Sequence, residues 1–372
     1  MSASIYPVPL RAWLEVDLTA VRHNARQLRE RARCPLVAMV KANGYGLGAI
    51  PIARALGADF GQGEAPDAPW ALGIATLDEA EALRNAGYRG RLLCCTPLLS
   101  VEYARALSLR VTPSLHRGED ISAWRGLGAA PYHLSIDTGM ARAGARWNTV
   151  TTLRASLAVA PPEGVYTHLH SSEDSLASRD EQDQRFAQAL AQLGELLPPG
   201  TLRHVDSSAG IASRAAGSPG ELARPGIALY GAHQVAELGL QPVAHLRTRV
   251  IDLRDVHIGE SVSYGATWTA ERPSRIATLA AGYADGYRRH LSNVGEVLLH
   301  GHRCPVVGRV TMDMTMVDVT AVPCALGDVA TLIGRDGPDC LTIDEVAHHG
   351  ELSPYELLVG CALRVSAHYL PL

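Results

Sequence analysis

Val37-Ala-Met-Val-Lys-Ala-Asn-Gly-Tyr45 is a short apolar run that stops at a lysine and passes through small residues into Gly46-Leu47-Gly48. An apolar run of that length bounded by turn formers reads as a buried strand. Lys41 then stands at the edge of a core, where desolvation lowers an amine's pKa and suits it to act as a nucleophile or Schiff-base partner. The same pattern fits a lysine that snorkels to water, so its surroundings must discriminate.

Outward from this stretch, amphipathic helical segments alternate with short apolar runs from about residue 18 to 230. Strands are predicted near Leu36–Val40, Ala71–Ala75, Arg91–Cys95, Arg110–Thr112, Pro131–Ile136, Gly164–His168, Leu202–Asp206 and Arg224–Tyr230. Eight strands separated by helices predict an α/β fold of the (β/α)8 TIM-barrel type, which takes roughly 200 to 250 residues. One helix is signalled at both ends: Thr76 precedes Asp78 and Glu79 as an N-cap, and Gly87 follows the last apolar position. After about residue 238, valine-rich stretches at 245–253, 274–281 and 328–334 are punctuated by Gly, Pro and Asp, which predicts a mainly antiparallel β domain. The expected divisions are an N-terminal segment, 1–11, packing on the β domain, a barrel, 12–237, and the β domain, 238–372. Turn formers between 58 and 69 interrupt the α/β rhythm and read as a mobile surface insertion.

Composition narrows the function. The 372 residues are 47% hydrophobic and 19% charged, with a formal net charge of -4, so no general attraction to nucleic acid is expected. No apolar stretch approaches the roughly 18 residues of a membrane span, and the start lacks a secretory pattern, which predicts a cytoplasmic protein. The seven cysteines lack C-x-x-C spacing and read as reduced, with Cys94 and Cys95 as packing residues. The fifteen histidines show no metal-ligand spacing, so no metal is assigned.

Active sites of barrels of this type lie at the carboxyl ends of the strands. Lys41, Arg142, His168, Ser208 in Asp206-Ser-Ser-Ala-Gly210, and Arg224-Pro-Gly226 all fall there. The loops after strands seven and eight commonly bind phosphate, and Ser208 with the backbone at Gly226 suits that role. An amine on one part of the rim and a phosphate cradle on another point to pyridoxal phosphate.

With these residues placed, the chain resembles the alanine racemase family over nearly its whole length. The resemblance rests on Ala12-Trp-Leu-Glu-Val-Asp-Leu18, Val40-Lys-Ala-Asn-Gly-Tyr-Gly46, Ala75-Thr-Leu-Asp-Glu-Ala80, Asp137-Thr-Gly-Met140, Arg224-Pro-Gly-Ile-Ala-Leu-Tyr-Gly231, Val262-Ser-Tyr-Gly-Ala-Thr267, Ala281-Gly-Tyr-Ala-Asp-Gly286, Met312-Asp-Met-Thr-Met-Val-Asp-Val319 and Pro354-Tyr-Glu356. It implies interconversion of L- and D-alanine, with D-alanine supplied for cell-wall peptidoglycan. It also implies that Lys41 carries pyridoxal 5'-phosphate and exchanges the α-proton on one face. Tyr264 would serve the other face from the partner subunit of a head-to-tail homodimer. Tyr45, Ser208, Gly226, Ile227 and Tyr355 match phosphate-holding positions, and His168 matches one lying against the cofactor ring. Arg224, supported by His204, matches the arginine facing the pyridine nitrogen, where a cation disfavours ring protonation and shortens the life of a carbanion. Arg142 and the backbone at Met312 match positions binding the substrate carboxylate, and Tyr283 with Tyr355 would crowd the side chain.

Ser135 departs from the family, in which many members carry a carbamylated lysine that orients the residue matching Arg142. A serine forms no carbamate, and an anion such as chloride, or water, would fill the gap. The insertion at 58–69 is a second departure. Serine or broader amino-acid racemisation stays open, because spacing does not fix pocket volume. A pyridoxal-phosphate decarboxylase of similar architecture would bring a Gly-Gly-Gly phosphate loop and an acidic partner for the ring nitrogen, neither evident beside Arg224-Pro-Gly226. A single-domain pyridoxal-phosphate carrier would leave the β domain bearing Tyr264 and Met312 without a purpose.

Overall fold

A computed structural model describes residues 10–172, 175–214, 217–232, 238–362 and 364–371. Eight parallel strands run in the order Val37–Met39, Ala71–Ile74, Leu92–Cys94, Val111–Leu115, His133–Asp137, Gly164–Tyr166, Leu202–Ser207 and Leu222–Arg224, each paired with the next. A parallel bridge between Leu36 and Ala223, with Met39 N–H donating to Pro225 O at 3.0 Å, joins the last strand to the first and closes a TIM-type barrel. The strands are almost wholly buried, as expected of a parallel sheet covered on both faces.

Several predicted strands shift at their ends, the fifth running from His133 to Asp137. The fourth starts at Val111 and runs on to Leu115, and the sixth stops at Tyr166, leaving His168 in the loop beyond. The eighth is corrected more strongly: it ends at Arg224, and Ile227–Tyr230 forms a 3-10 turn. Pro225 supplies no N–H, its carbonyl makes the last contact with the first strand through Met39 N, and at Gly226 the chain turns out of the ladder. The Thr76 cap forms as expected, with Thr76 Oγ1 accepting from Glu79 N at 3.3 Å at the head of the helix Leu77–Asn85.

The second sheet has the order His302–Pro305, Glu296–Leu299, Val329–Asp336, Ala244–Val256, Ala12–Asp17, Ser366–Leu370, with Ser274–Leu279 and Thr315–Asp318 continuing from Ala244–Val256. Its pairs are antiparallel except Ala12–Asp17 with Ser366–Leu370. Ala12–Asp17 therefore belongs to this sheet, although the sequence reading placed it with the barrel. Asp17 then caps the first barrel helix, Leu18–Ala32, accepting from Ala20 N at 2.9 Å. One residue thus ends a strand of one unit and starts a helix of the other. Leu10 O and Arg11 O accept from Arg249 Nε and Thr248 Oγ1 of the same sheet. Residues 1–9 and residue 237, on the barrel side of the 237/238 boundary, lie outside the described residues.

The segment 58–69 makes local contacts of its own. Asp59 Oδ1 accepts from the N–H groups of Gly61 and Gly63 at 2.7 and 3.0 Å, its carbonyl accepts from Arg89 N, and the Phe60 ring lies between Arg54 and Tyr88. All seven cysteines are free thiols. Among the described residues, no helix is long and apolar enough to cross a membrane.

Candidate active site

At the carboxyl ends of the barrel strands lies a cavity of about 470 Å³. Lys41, Tyr45, Arg142, His168, Ser208, Arg224, Gly226, Ile227 and Tyr355 line it, together with Ser135 and Cys95. Nine sequence-predicted residues therefore converge on one space. Cys95 was read as packing but faces this cavity, while Cys94 is buried as expected.

Lys41 opens a turn that is unusual in hand. Ala42, Asn43, Gly44 and Tyr45 have φ of 51, 53, 63 and 54°, a left-handed coil between the strand and the next helix. Such a conformation costs an L-residue roughly 1–2 kcal/mol, so it persists only where its surroundings impose it. Here Val40 O accepts from Gly44 N at 2.7 Å, Asn43 Oδ1 accepts from Ala49 N at 3.0 Å, and Glu79 Oε1 accepts from Ala42 N at 2.6 Å. The coil turns Tyr45 inward, against Tyr230 at 4.8 Å and Tyr355 at 6.3 Å between ring centroids, while Lys41 is exposed on the cavity lip. The expectation of a desolvated amine at the core's edge is thus not met within a single chain.

Lys41 carries a signal that motif reading overlooked: it is the only lysine in the chain, all other members of the 34 Lys+Arg being arginine.

The opposite wall is built on Arg224, which is 4% exposed. Its Nη2 donates to Thr167 O and Val205 O at 2.7 and 3.0 Å, and its Nη1 donates to His204 Nδ1 at 2.9 Å. A guanidinium only donates, so His204 Nδ1 must accept and Nε2 carries the proton. That proton points to His133 Nδ1 at 2.7 Å, and His133 Nε2 faces Glu163 Oε2 at 3.5 Å. The tautomers of both histidines follow from one arginine.

Burial holds His204 well below its ordinary pKa, with Arg224 and then His133 adding to the effect. Burial likewise lowers His133 and takes His168, beside Arg224, Arg142 and Lys41, down to about 3; His245 in the second sheet falls to about 4 for the same leading reason. His168 is therefore neutral near pH 7. These depressed values fix the acid behaviour. The unfolded chain binds protons at histidine near pH 6.5 and the folded chain does not, so stability is intact above pH 6.5 and falls with acid until the folded pKa is reached. Each such histidine contributes a slope of about 1.4 kcal/mol per pH unit. Denaturant titrations of the unliganded protein should show stability dropping between pH 6.5 and 4; a flat profile there would contradict the neutral assignments.

The rim near strands seven and eight presents Ser207, Ser208, Tyr45, Tyr355 and the Gly226–Ile227 backbone. Ser208 Oγ accepts from Gly226 N at 2.9 Å and Ala228 N at 3.1 Å. A Cβ on Gly226 would lie 2.2 Å from the Tyr45 hydroxyl oxygen, so only glycine permits this approach. Gly226→Ala should displace Tyr45, cost about 1–3 kcal/mol of stability and weaken retention of an anionic ligand. Unchanged melting and ligand retention would contradict this packing.

This donor set suits a flat aldehyde bearing an anionic group: one amine, one fixed cation on the wall, and a rim of hydroxyl and N–H groups. Tyr264, Met312 and Tyr283 are not in it. They stand on the second unit, Tyr264 71% and Met312 52% exposed, with Tyr283 N donating to Thr311 O and Ala284 N to Met312 O. Ser135 is buried beside Tyr166 on the cavity wall, and Arg142 makes no ion pair among the described residues.

The N-terminal domain model of alanine racemase matches residues 16–234 and the C-terminal domain model matches 243–369. The chain is 38% identical over 375 residues to the alanine racemase of Symbiobacterium thermophilum, covering 96% of each. Among solved structures it superposes on the alanine racemase of Streptomyces lavendulae with a TM-score of 0.87 at 32% identity, over 98% of both chains. It also superposes on that of Bartonella henselae, solved with covalently bound pyridoxal phosphate, with a TM-score of 0.85 at 28% identity, over 97% of this chain and 100% of that one.

Proposed function

The chain belongs to the alanine racemase family and is an amino-acid isomerase, and on that premise we propose that it interconverts L- and D-alanine with pyridoxal 5'-phosphate by a two-base mechanism. The observation carrying this reading is that the sole lysine opens the cavity that Arg224 and the Ser208–Ile227 rim enclose. Lys41 would hold the cofactor through its ε-amine, Tyr45, Ser208, Gly226, Ile227 and Tyr355 its phosphate, His168 its ring, and Arg224 its ring nitrogen. The bound cofactor supplies delocalisation for the electron pair left when the α-proton departs.

The protein's own groups do the rest. Arg224 offers N–H groups and no acceptor, and its orientation is locked by two carbonyls and His204. Set against the ring nitrogen of a bound cofactor, this fixed cation would disfavour protonation there. Lys41 Nζ would exchange the α-proton on one face, and the phenol oxygen of Tyr264 of the partner subunit would exchange it on the other. One base ends a turnover protonated and the other deprotonated, which is the starting state for the reverse direction. Arg142 and the Met312 backbone would bind the substrate carboxylate, Tyr283 would bound the side-chain space, and an anion such as chloride beside Ser135 would orient Arg142.

The exposure of Lys41 on one unit and of Tyr264 and Met312 on the other supports a head-to-tail homodimer completing each site. D-alanine made in the cytoplasm would supply peptidoglycan. Incubation with single L-amino acids in deuterated water tests the reading. Alanine should lose optical rotation and gain α-deuterium. Equal turnover of serine would broaden the substrate class, and carbon dioxide release would replace racemisation by decarboxylation.

A further inference from the structure

Glu79 lies on the helix after the second barrel strand, outside the cavity lining, yet its carboxylate reaches the peptide that follows Lys41. In an ordinary capping box, the glutamate three residues into a helix returns to the N–H of the cap. Here that bond, from Thr76 N to Glu79 Oε2, is the longest of three at 3.3 Å. The shorter bonds lead elsewhere: Oε2 accepts from Ala75 N at 2.8 Å, and Oε1 accepts from Ala42 N at 2.6 Å. The carboxylate therefore ties the loop after strand two to the turn after strand one through charge-assisted bonds.

Ala42 N belongs to the peptide plane whose other half is the Lys41 carbonyl, so fixing that N–H fixes the backbone torsion on which the Lys41 side chain is carried. It also fixes the entry to the left-handed coil, whose first residue, Ala42, has φ 51°. We propose that Glu79 is a positioning residue that sets the aim of Lys41 by holding the Lys41–Ala42 peptide. This rests on Lys41 acting as cofactor anchor and proton carrier, as proposed above. Glutamine at 79 keeps one carbonyl acceptor but turns an NH2 group either toward Ala42 N or toward the Ala75 and Thr76 N–H pair, so it spoils one side of the clamp. Alanine removes the clamp entirely.

Thr76→Ala supplies the structural control. It removes the hydroxyl that accepts from Glu79 N and weakens the same helix terminus, but leaves the acceptor groups of Glu79 in place. The three variants are to be compared for melting temperature, for kcat and KM with each alanine enantiomer, for the α-deuterium isotope effect with each, and for borohydride trapping of pyridoxal phosphate. Because Lys41 is the only lysine, the trapped mass at a lysine reports this residue alone. A misplaced base costs about tenfold in kcat for Glu79→Gln and about a hundredfold for Glu79→Ala, with KM within about twofold of wild type.

The isotope effect should rise for one enantiomer only, the one whose α-hydrogen Tyr264→Phe leaves unaffected, and trapping should slow. Thr76→Ala should melt lower yet keep wild-type kcat, isotope effects and trapping. Glu79 variants matching wild type in kcat and trapping, or tracking Thr76→Ala in every readout, would overturn the positioning role while a racemising wild type kept the family mechanism intact. A wild-type chain that neither racemises alanine nor traps pyridoxal phosphate at Lys41 would overturn both.

Discussion

Lys41→Ala is expected to abolish the absorbance of lysine-bound pyridoxal phosphate and to lower racemisation by about 10⁴-fold or more. The absence of any other lysine makes the expectation sharp. In most proteins of this size, surface lysines form adventitious adducts with an aldehyde and leave a residual band; here the variant has no ε-amine at all. The side chain is exposed and the left-handed coil is held by Val40, Asn43 and Glu79, so the fold should survive the change. Phosphate contacts at Ser208 and Gly226 should still retain the free aldehyde form. A lysine-bound spectrum in Lys41→Ala would disprove the anchor assignment.

Tyr264→Phe should lower proton abstraction from one alanine enantiomer by about 10²–10⁴-fold and leave the lysine-bound absorbance intact. Tyr264 is 71% exposed on its own chain, so losing one hydroxyl should leave monomer stability near wild type. Mixing this variant with Lys41→Ala provides the decisive case. Each protein alone is impaired at every site. If Lys41 of one subunit works with the tyrosine of the other, a mixed dimer contains one doubly altered site and one intact site, and random exchange should restore about a quarter of wild-type activity. No restoration after subunit exchange would place both bases on one chain; wild-type rates for Tyr264→Phe in both directions would remove the second base.

The order of the barrel strands, the cap at Thr76 and the position of Lys41 after strand one were legible because they are local. A buried parallel strand needs a continuous apolar run, a helix start needs a side-chain acceptor, and both leave their mark within a few residues. The eighth strand was misread because the apolar run Ile227–Tyr230 is buried equally well as a 3-10 turn beyond the ladder as it would be within it. Glu79 was visible as a capping residue, but nothing near it in sequence discloses that its shortest bond reaches Ala42.

By itself, then, the sequence determined the alternation of strands and helices and which chemical groups follow the strands. Only the tertiary structure decided that Leu36 meets Ala223 to close the ring, that Ala12–Asp17 joins the second sheet, that His133 and His204 link Arg224 to Glu163, and that Tyr264 and Met312 face outward from a cavity they do not line. Periodicity records that a face is buried, but not against what. Pairings between residues tens to hundreds of positions apart are set by the packing of whole elements, and they exist only once the chain has closed on itself.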